Sequence, residues 1–262
     1  MNMQFTSPEE LRSAIRQGGF QAPTSGFAPG FIQTNLAILP KELAFEFLLF
    51  CQRNPKSCPV IDVTEPGSFV PALSAPTADL RTDIPKYRVY RDGVLTEETT
   101  DIQALWADDM VAFLLGCSFT FEEALTQNGI PMRHQEQGCN VPMYKTSIPA
   151  VPAGRFQGPT VVSMRPIKEQ DIVRAVQVTS RFPNVHGAPV HIGNPGSIGI
   201  QDIAKPDFGD AVDIKPGEVP VFWACGVTPQ AVAMESKPSL MITHAPGHMF
   251  ITDLKSEDFS VF

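Results

Sequence analysis

Hydrophobic and polar positions along the chain follow both a helical and a strand period, which predicts a protein built from helices and strands. Ser7-Pro-Glu-Glu10 opens the first helix, because Ser suits the N-cap, Pro the first helical position and Glu the capping box. The predicted helices run from Ser7 to Gly18, from Pro40 to just before Pro55, over 101–113, from the capping box at 120–123 to Asn128, over 167–182 and over 229–236.

Short apolar runs between turn residues predict strands at 59–63, 141–146, 160–164, 188–192, 219–224, 239–243 and 249–252. Residues 86–97 predict a hairpin, with Asp92-Gly93 at its turn. Strands interleaved with helices indicate an α/β or mixed fold. Residues 76–184 hold their own hairpin, helices and two strands, so we expect a smaller inserted domain there and a larger core from 1–75 and 185–262.

Composition narrows the class of protein. The formal charge of −8 and the absence of a basic run argue against nucleic acid or an anionic membrane as a partner. The longest apolar stretch, 110–117, is too short to span a bilayer. The chain start lacks a signal-peptide pattern, and the five cysteines show no paired metal spacing, so we expect a reduced, cytoplasmic protein.

Four of the five histidines lie between residues 186 and 248, each beside Gly and Pro. Histidine titrates nearest neutral pH, and Gly and Pro form turns that bring polar groups to a ligand. His186, His191 and His244 are therefore candidates for proton transfer. The alternative is that each is a hydrogen-bonded structural residue. A metal site is disfavoured, because Pro246-Gly247 breaks any helix between His244 and the histidine four residues later.

Two turns offer groups that could bind an oxyanion or a carboxylate. Asn194 and Ser197 lie in a Gly-rich loop whose exposed N–H groups suit a carboxylate, although a simple tight turn explains the loop equally well. Cys225 and Thr228 follow an apolar strand, where backbone donors and a hydroxyl can hold an oxyanion. Cys225 is a candidate nucleophile, but an inert buried thiol is the commoner case.

Three further residues are candidates for substrate binding. Ser118 lies just before a predicted helix start, where an anion is favoured. Arg165 ends a strand and Arg181 ends a helix, so either could hold a substrate carboxylate through two hydrogen bonds. A surface salt bridge is the alternative for each arginine.

Several strings together resemble the hydro-lyase family that is also called the D-glutamate cyclase family. They extend from about Gly30 to Asp253. The strings are Arg53-Asn-Pro-Lys-Ser-Cys-Pro59, Asp83-Ile-Pro-Lys-Tyr-Arg88, Gly116-Cys-Ser-Phe-Thr-Phe-Glu122, Val141-Pro-Met-Tyr144, Val162-Ser-Met-Arg-Pro166, His186-Gly-Ala-Pro-Val-His191, Trp223 to Gln230, Thr243-His-Ala-Pro-Gly247 and Thr252-Asp253.

The resemblance implies an α/β fold with a three-layer, mixed-sheet core and a smaller two-layer α+β domain. It also implies loss of water as the reaction, and a related eukaryotic protein is associated with cyclising D-glutamate to 5-oxo-D-proline. Dehydration needs a positioned acid, a base and donors for an oxyanion, and none of these requires a cofactor. We therefore expect no cofactor, no metal and a small carboxylate substrate.

Three hypotheses about function remain open. The first is a cofactor-independent hydro-lyase, or lactam-forming enzyme, acting on a small amino or hydroxy acid. The second is a non-catalytic binding protein or subunit for 5-oxoproline-type ligands, and the third is a metal-dependent hydrolase. Convergence of His186, His191 and His244 in one cleft with an arginine favours the first, whereas scattered histidines argue against an enzyme that uses them. The sequence leaves homo-oligomerisation open.

Overall fold

A computed structural model describes residue 5 and residues 7–261 of the chain. Within them the α-helices are α1 (Pro8–Arg16), α2 (Lys41–Arg53), α3 (Phe119–Gln127), α4 (Arg133–Gln137), α5 (Ile172–Ser180) and α6 (Thr228–Ser236). The strands are β1 (Phe31–Pro40), β2 (Val60–Val63), β3 (Tyr87–Arg91), β4 (Val94–Thr99), β5 (Met110–Gly116), β6 (Met143–Pro149), β7 (Pro159–Lys168), β8 (His191–Ile192), β9 (Glu218–Ala224), β10 (Met241–His244) and β11 (Phe250–Lys255).

The strands form two sheets. The larger has seven strands in the order β2-β5-β1-β10-β3-β4, and β11 pairs with β1 beside β10. The smaller has four strands in the order β6-β7-β9-β8. The fold therefore mixes helices and strands, as expected. Every strand pair among the described residues is antiparallel, so the expected mixture of parallel and antiparallel pairing is not found there.

The core of the larger sheet lies on both of its faces. On one face α2 packs Leu43, Phe47 and Phe50 against β1 and β5. The irregular segment 69–85 covers the other face, where Leu80 is completely buried. Burying one Phe or Leu side chain stabilises the fold by roughly 1.5–3 kcal/mol relative to an exposed position. Strands covered on both faces need no alternation of polar and apolar residues.

The predicted helix over 101–113 is wrong. Residues 103–105 form a short 3-10 helix, and the chain then enters β5, whose seven residues are all buried. A continuous apolar run fits a buried strand as well as a buried helix, so its period cannot distinguish them. β1 was not predicted for the same reason. Residues 32–39 are all buried, so polar and apolar residues do not alternate along this strand.

Local signals identified other elements correctly. Ser7 caps α1, its Oγ accepting a hydrogen bond from the Glu10 amide at 3.2 Å. Asp92 and Gly93 both adopt positive φ at the tip of the β3–β4 hairpin. The capping box at 120–123 does not form, because α3 starts earlier, with Ser118 at its N-cap position.

The strand pairs link chain segments from both sides of the predicted domain boundaries. β5 pairs with β1, and β9 pairs with β7. Strand pairing alone therefore does not separate 76–184 from the remainder, and the domain division stays a prediction. No helix among residues 7–261 is both long and apolar enough to cross a bilayer.

Candidate functional site

A polar cleft of about 600 Å³ lies where the ends of β3 and β10 face the segment 207–210. Its walls include Lys86, Arg88, Tyr90 and His248. We call it the β3–β10 cleft. Ligand sites of this size usually lie where separate elements of a fold meet, and they carry a few convergent polar groups.

A tight turn after β10 places His248 in this cleft. The amide of Ala245 donates to the Lys86 carbonyl at 2.7 Å, and the His248 amide donates to the Ala245 carbonyl at 2.9 Å. Gly247 has a φ of 83° and leaves no room for a Cβ, because the side chain of Asn140 packs against it. Glycine is thus required here for both its backbone conformation and its size.

The cleft carries charges of both signs. The Nε of Arg88 donates to Glu98 at 2.7 Å, which pairs this cation with a carboxylate. Lys86 is half-buried, and none of the described carboxylates forms a salt bridge with it. Asp207 and Asp210 also line the cleft, where their carboxylates accept hydrogen bonds from the backbone amides of Lys145 and Asn140. The arrangement can accept an anionic group at Lys86 and a cationic group at the aspartates.

His248 is suited to accept a proton in this cleft. Burial lowers the pKa of its imidazole, and the nearby Lys86 charge lowers that pKa further, against the opposing effect of backbone carbonyls. The neutral ring therefore predominates at neutral pH. Because Nδ1 lies 3.0 Å from the Pro246 carbonyl, it carries the hydrogen and leaves Nε2 as the basic nitrogen.

His244 lies near the cleft but is fully buried in the larger sheet. Burial lowers the pKa of its ring to about 3, and the charges of His248 and Arg88 add to that effect. Its Nδ1 accepts a hydrogen bond from the Leu36 amide at 3.1 Å. Its Nε2 is buried with no partner among the described residues, and His244 is not among the residues that line the cleft.

A second cluster of polar groups is buried around Arg165. Its Nη1 donates to Ser163 and its Nη2 to Ser118, both at 3.1 Å. The guanidinium also forms an ion pair with Glu122, with Nε at 2.9 Å from the carboxylate. Its side chain is 1% exposed. The structure thus brings the predicted residues Arg165 and Ser118 together, but Glu122 already occupies the predicted carboxylate position.

Glu122 extends this cluster to two residues that the sequence analysis did not select. Its carboxylate lies 3.2 Å from the Nε2 of His134 and accepts a hydrogen bond from Ser25 at 2.8 Å. Burial alone would raise the pKa of Glu122, but the charges of His134 and Arg165 outweigh it and lower that pKa to about 2. We call Arg165, Glu122, His134 and Ser25 the Arg165 cluster.

Cys225 and Thr228 connect the smaller sheet to α6. The Cys225 amide donates to the Val161 carbonyl at 2.9 Å. The Thr228 hydroxyl donates to the Cys225 carbonyl at 2.7 Å and accepts from the Val161 amide at 3.0 Å. Burial raises the pKa of the Cys225 thiol to about 11, which disfavours the thiolate. The backbone of Cys225 and the hydroxyl of Thr228 are engaged in hydrogen bonds within the fold. This favours the alternative that Cys225 is an inert buried thiol.

His186 lies beside a different cavity, at the start of the segment that follows α5. Its Nδ1 lies 2.7 Å from the Lys56 carbonyl. Burial lowers the pKa of its ring to about 4, although the Lys56 and Gly116 backbones oppose that effect, and the charge of Arg165 contributes. His186 is thus close to the Arg165 cluster and separate from the β3–β10 cleft.

The remaining predicted residues lie elsewhere. The Nε2 of His191 lies 2.7 Å from the Asn194 carbonyl. Asn194 caps a short 3-10 helix that contains Ser197, its Oδ1 accepting from the Gly196 amide at 3.0 Å, as the tight-turn alternative implied. Arg181 follows α5, and its carbonyl accepts from the Val261 amide at 2.8 Å. His186, His191 and His244 do not line one common cavity of those described above.

His248 and Lys86, the accessible histidine and lysine of the cleft, were not predicted from the sequence. Lys86 and Arg88 lie within one of the strings that carry the family resemblance, and His248 directly follows another. Their place within or next to these strings was the sequence signal that could have identified them. Among residues 7–261 no group of three or more His, Cys, Asp and Glu side chains is arranged to hold a metal ion.

Comparisons with known proteins identify the family. A model of the D-glutamate cyclase family matches residues 111–253. A relative from Geobacillus kaustophilus is 70% identical over 262 residues, covering 99% of this chain and 100% of the relative. A relative from Bacillus subtilis is 64% identical over 255 residues, covering 97% and 99%. Both bear the name "Putative hydro-lyase".

A solved structure of a nitrogen repressor-like protein from Methanococcus jannaschii aligns over 94% of this chain and 98% of that chain, with a TM-score of 0.38 and 9% identity. A likeness this weak carries no argument about function. The family match over more than half of the chain, together with full-length relatives at 64% and 70% identity, shows that this protein belongs to the D-glutamate cyclase family.

Proposed function

We propose that the protein is a lyase that removes water from a small amino or hydroxy acid bound in the β3–β10 cleft. The observation that carries this proposal is the placement of Lys86 and His248 in one cleft, a cation with no described salt bridge beside a neutral imidazole. The naming of the relatives as hydro-lyases supports the reaction class at the general level.

Substrate binding follows from the charges of the cleft. Lys86 holds the substrate carboxylate, because it is the half-buried cation whose charge is not balanced by a described carboxylate. A substrate ammonium lies toward Asp207 and Asp210, and a hydroxyl in its place needs only a hydrogen-bond acceptor. The apolar side chains of Leu95 and Met234 close the cleft around the carbon chain.

His248 transfers the proton. Its Nε2 removes a proton from the substrate, and the resulting imidazolium gives that proton to the departing hydroxyl, so that water leaves with no net change in the enzyme. With D-glutamate, the ammonium would first give one proton to His248, and the resulting neutral amine nitrogen would bond to the distal carboxyl carbon. The nitrogen would then lose a second proton, the departing carboxyl oxygen would receive both protons and leave as water, and the product would be 5-oxo-D-proline.

Turnover of a substrate panel tests the proposal. The purified protein is incubated with D-glutamate, L-glutamate and small 2-hydroxy acids, and products that have lost one water are detected by mass spectrometry. We expect turnover of at least one member. Replacing Lys86→Met should raise KM about 10- to 100-fold, the loss expected for a hydrogen bond to a charged group. Replacing His248→Asn should lower kcat by about 10²- to 10⁴-fold, with KM nearly unchanged.

Lys41→Met is the matched control for the lysine, because Lys41 is exposed at the start of α2 and lies outside the cleft. It should leave both kinetic constants unchanged. Binding of a panel member without turnover would contradict the lyase proposal and favour the non-catalytic binding protein. Turnover that survives both cleft substitutions would place the reaction at another site.

A further inference from the structure

A second cavity, of about 590 Å³, lies between the C-terminal end of α2 and the segment 180–188. Its lining includes Lys56, Val60, Pro183 and His186. We call it the α2 cavity. We propose that it is a separate binding site for a small aliphatic monocarboxylate, with Lys56 holding the carboxylate. This proposal is independent of the function proposed for the β3–β10 cleft.

The lining of the α2 cavity carries a positive charge and no negative charge. Lys56 is the lining residue that carries a formal charge at neutral pH, and the lining contains no Asp or Glu. None of the described carboxylates forms a salt bridge with Lys56. Lys56 is an exposed residue of the cavity lining, and partial burial lowers the pKa of its ammonium. An anion in the cavity would stabilise the charged form of this ammonium.

The walls of the cavity indicate which chemical group accompanies the carboxylate in the ligand. Most of the lining is apolar, and it includes Pro55, Pro59, Val60, Pro183 and Ala188. A short hydrocarbon chain gains about 0.8 kcal/mol per buried CH₂ group on such a surface. A ligand ammonium would be repelled by the like charge of Lys56, and the lining has no carboxylate to bind it. The cavity therefore favours an aliphatic monocarboxylate over an amino acid. In contrast, the lining of the β3–β10 cleft carries both positive and negative charges.

The cavity is held in shape by contacts between its two sides. The hydrogen bond of 2.7 Å between His186 Nδ1 and the Lys56 carbonyl joins the α2 side to the 180–188 segment. His186 adopts a φ of 84°, a left-handed conformation that costs a non-glycine residue free energy and persists where surrounding contacts impose it. Gly116 lies against the Asn184 carbonyl, with no room for a side chain between them. A site that is already formed loses little entropy when a ligand binds.

Two cysteines report on occupancy. Cys51 and Cys58 line the α2 cavity and are buried, whereas Cys117 and Cys225 are buried outside its lining. Buried thiols react when the structure around them opens, so a ligand in the cavity should slow alkylation of Cys51 and Cys58 more than alkylation of Cys117 and Cys225. Peptide mass spectrometry after timed treatment with N-ethylmaleimide measures each rate separately.

Titration with butyrate, butyramide and 4-aminobutyrate tests the ligand class. Isothermal titration calorimetry should detect butyrate, and the other two should bind at least about tenfold more weakly, because one lacks the charge and the other adds an unpaired ammonium. Butyrate should also protect Cys51 and Cys58 from alkylation. Equal affinity for all three compounds, or binding without this protection, would overturn the proposal.

Replacing Lys56→Met tests the anchor. Met keeps the apolar length of the side chain, so the variant should fold and should bind butyrate about 10- to 100-fold more weakly. Lys168→Met is the matched control, because Lys168 is exposed and lies outside the cavity lining. Circular dichroism of both variants verifies folding. Unchanged butyrate affinity in a folded Lys56→Met variant would refute the assignment.

Discussion

Arg165 and Glu122 form an ion pair in a nearly dry environment, with side chains 1% and 2% exposed. Removing two charges from water is costly, and the hydrogen bonds that the same guanidinium donates to Ser163 and Ser118 offset part of that cost. Such a pair contributes little net stability, but breaking it by removing one partner is strongly unfavourable. Buried pairs of this kind are coupled more tightly than the exposed ion pairs among the described residues, which water screens.

Replacing Glu122→Gln should reduce the free energy of unfolding by about 3–5 kcal/mol, because the Arg165 charge stays buried without a counter-charge. Glu123→Gln is the control, since Glu123 is the neighbouring residue on α3 and contacts Gln127 at the surface. It should change stability by less than about 0.5 kcal/mol. Urea-induced unfolding at pH 7 measures both. A cost at Glu122 as small as at Glu123 would show that the buried pair does not control stability.

The same carboxylate predicts an acid dependence. The folded pKa of Glu122, about 2, lies below its ordinary value of 4.5. The unfolded state therefore binds the proton more tightly, and the contribution of Glu122 to stability is present above pH 4.5 and lost as pH falls toward 2. The stability difference between wild type and Glu122→Gln should shrink over that range. A difference that stays constant from pH 5 to pH 2.5 would contradict the lowered pKa.

At the scale of elements, the junction between β9 and α6 is closely packed against β1. A Cβ at Gly226 would overlap the side-chain amide of Asn35. That amide in turn donates to the Gly116 carbonyl at 2.7 Å, at the end of β5. Glycine at position 226 is required for close approach, and three elements meet through one asparagine.

Replacing Gly226→Ala should destabilise the fold by about 1–3 kcal/mol, since the added methyl overpacks this junction. Asn35→Ala relieves the overlap, so the double variant should lose less than the sum of the single losses, with a coupling of at least about 0.5 kcal/mol. Gly19→Ala is the control, because its nearest neighbour would lie 3.4 Å away. Thermal and urea unfolding compare the wild type with the four variants. Strict additivity would exclude a direct contact between positions 226 and 35.

At the scale of the whole molecule, buried histidines link stability to pH. Burial lowers the pKa of His186 to about 4 and that of His244 to about 3, whereas both begin near 6.5 when unfolded. The unfolded chain thus binds protons that the folded protein excludes. The two histidines contribute stability above pH 6.5, and this contribution is lost as pH falls toward 4 and 3.

Replacing His244→Asn should reduce the slope of unfolding free energy against pH by about one bound proton between pH 6 and pH 4. Asn can present Oδ1 where Nδ1 accepts the hydrogen bond from the Leu36 amide, so the variant preserves that contact. Urea unfolding across this pH range gives the slope, and histidine ring NMR gives the pKa directly. Titration of the His244 ring near pH 6.5 in the folded protein would contradict the prediction.

Elements with local signals could be predicted, and those without could not. The Ser7 cap and the Asp92-Gly93 turn depend on contacts between near neighbours in the chain, so a short string specifies them. β1 and β5 lack such a signal, because burial on both faces removes the alternation that distinguishes strands. The misassigned helix over 101–113 follows from that.

The candidate site shows the same division. The chain alone indicated proton-transfer chemistry on Gly- and Pro-rich turns, and its strings already pointed to the family. Packing determined which groups are accessible: His244 is enclosed in the larger sheet, while His248 lies in the cleft beside Lys86. It also paired Arg165 with Glu122. Accessibility and charge pairing arise from contacts between residues far apart in sequence, which local patterns do not encode.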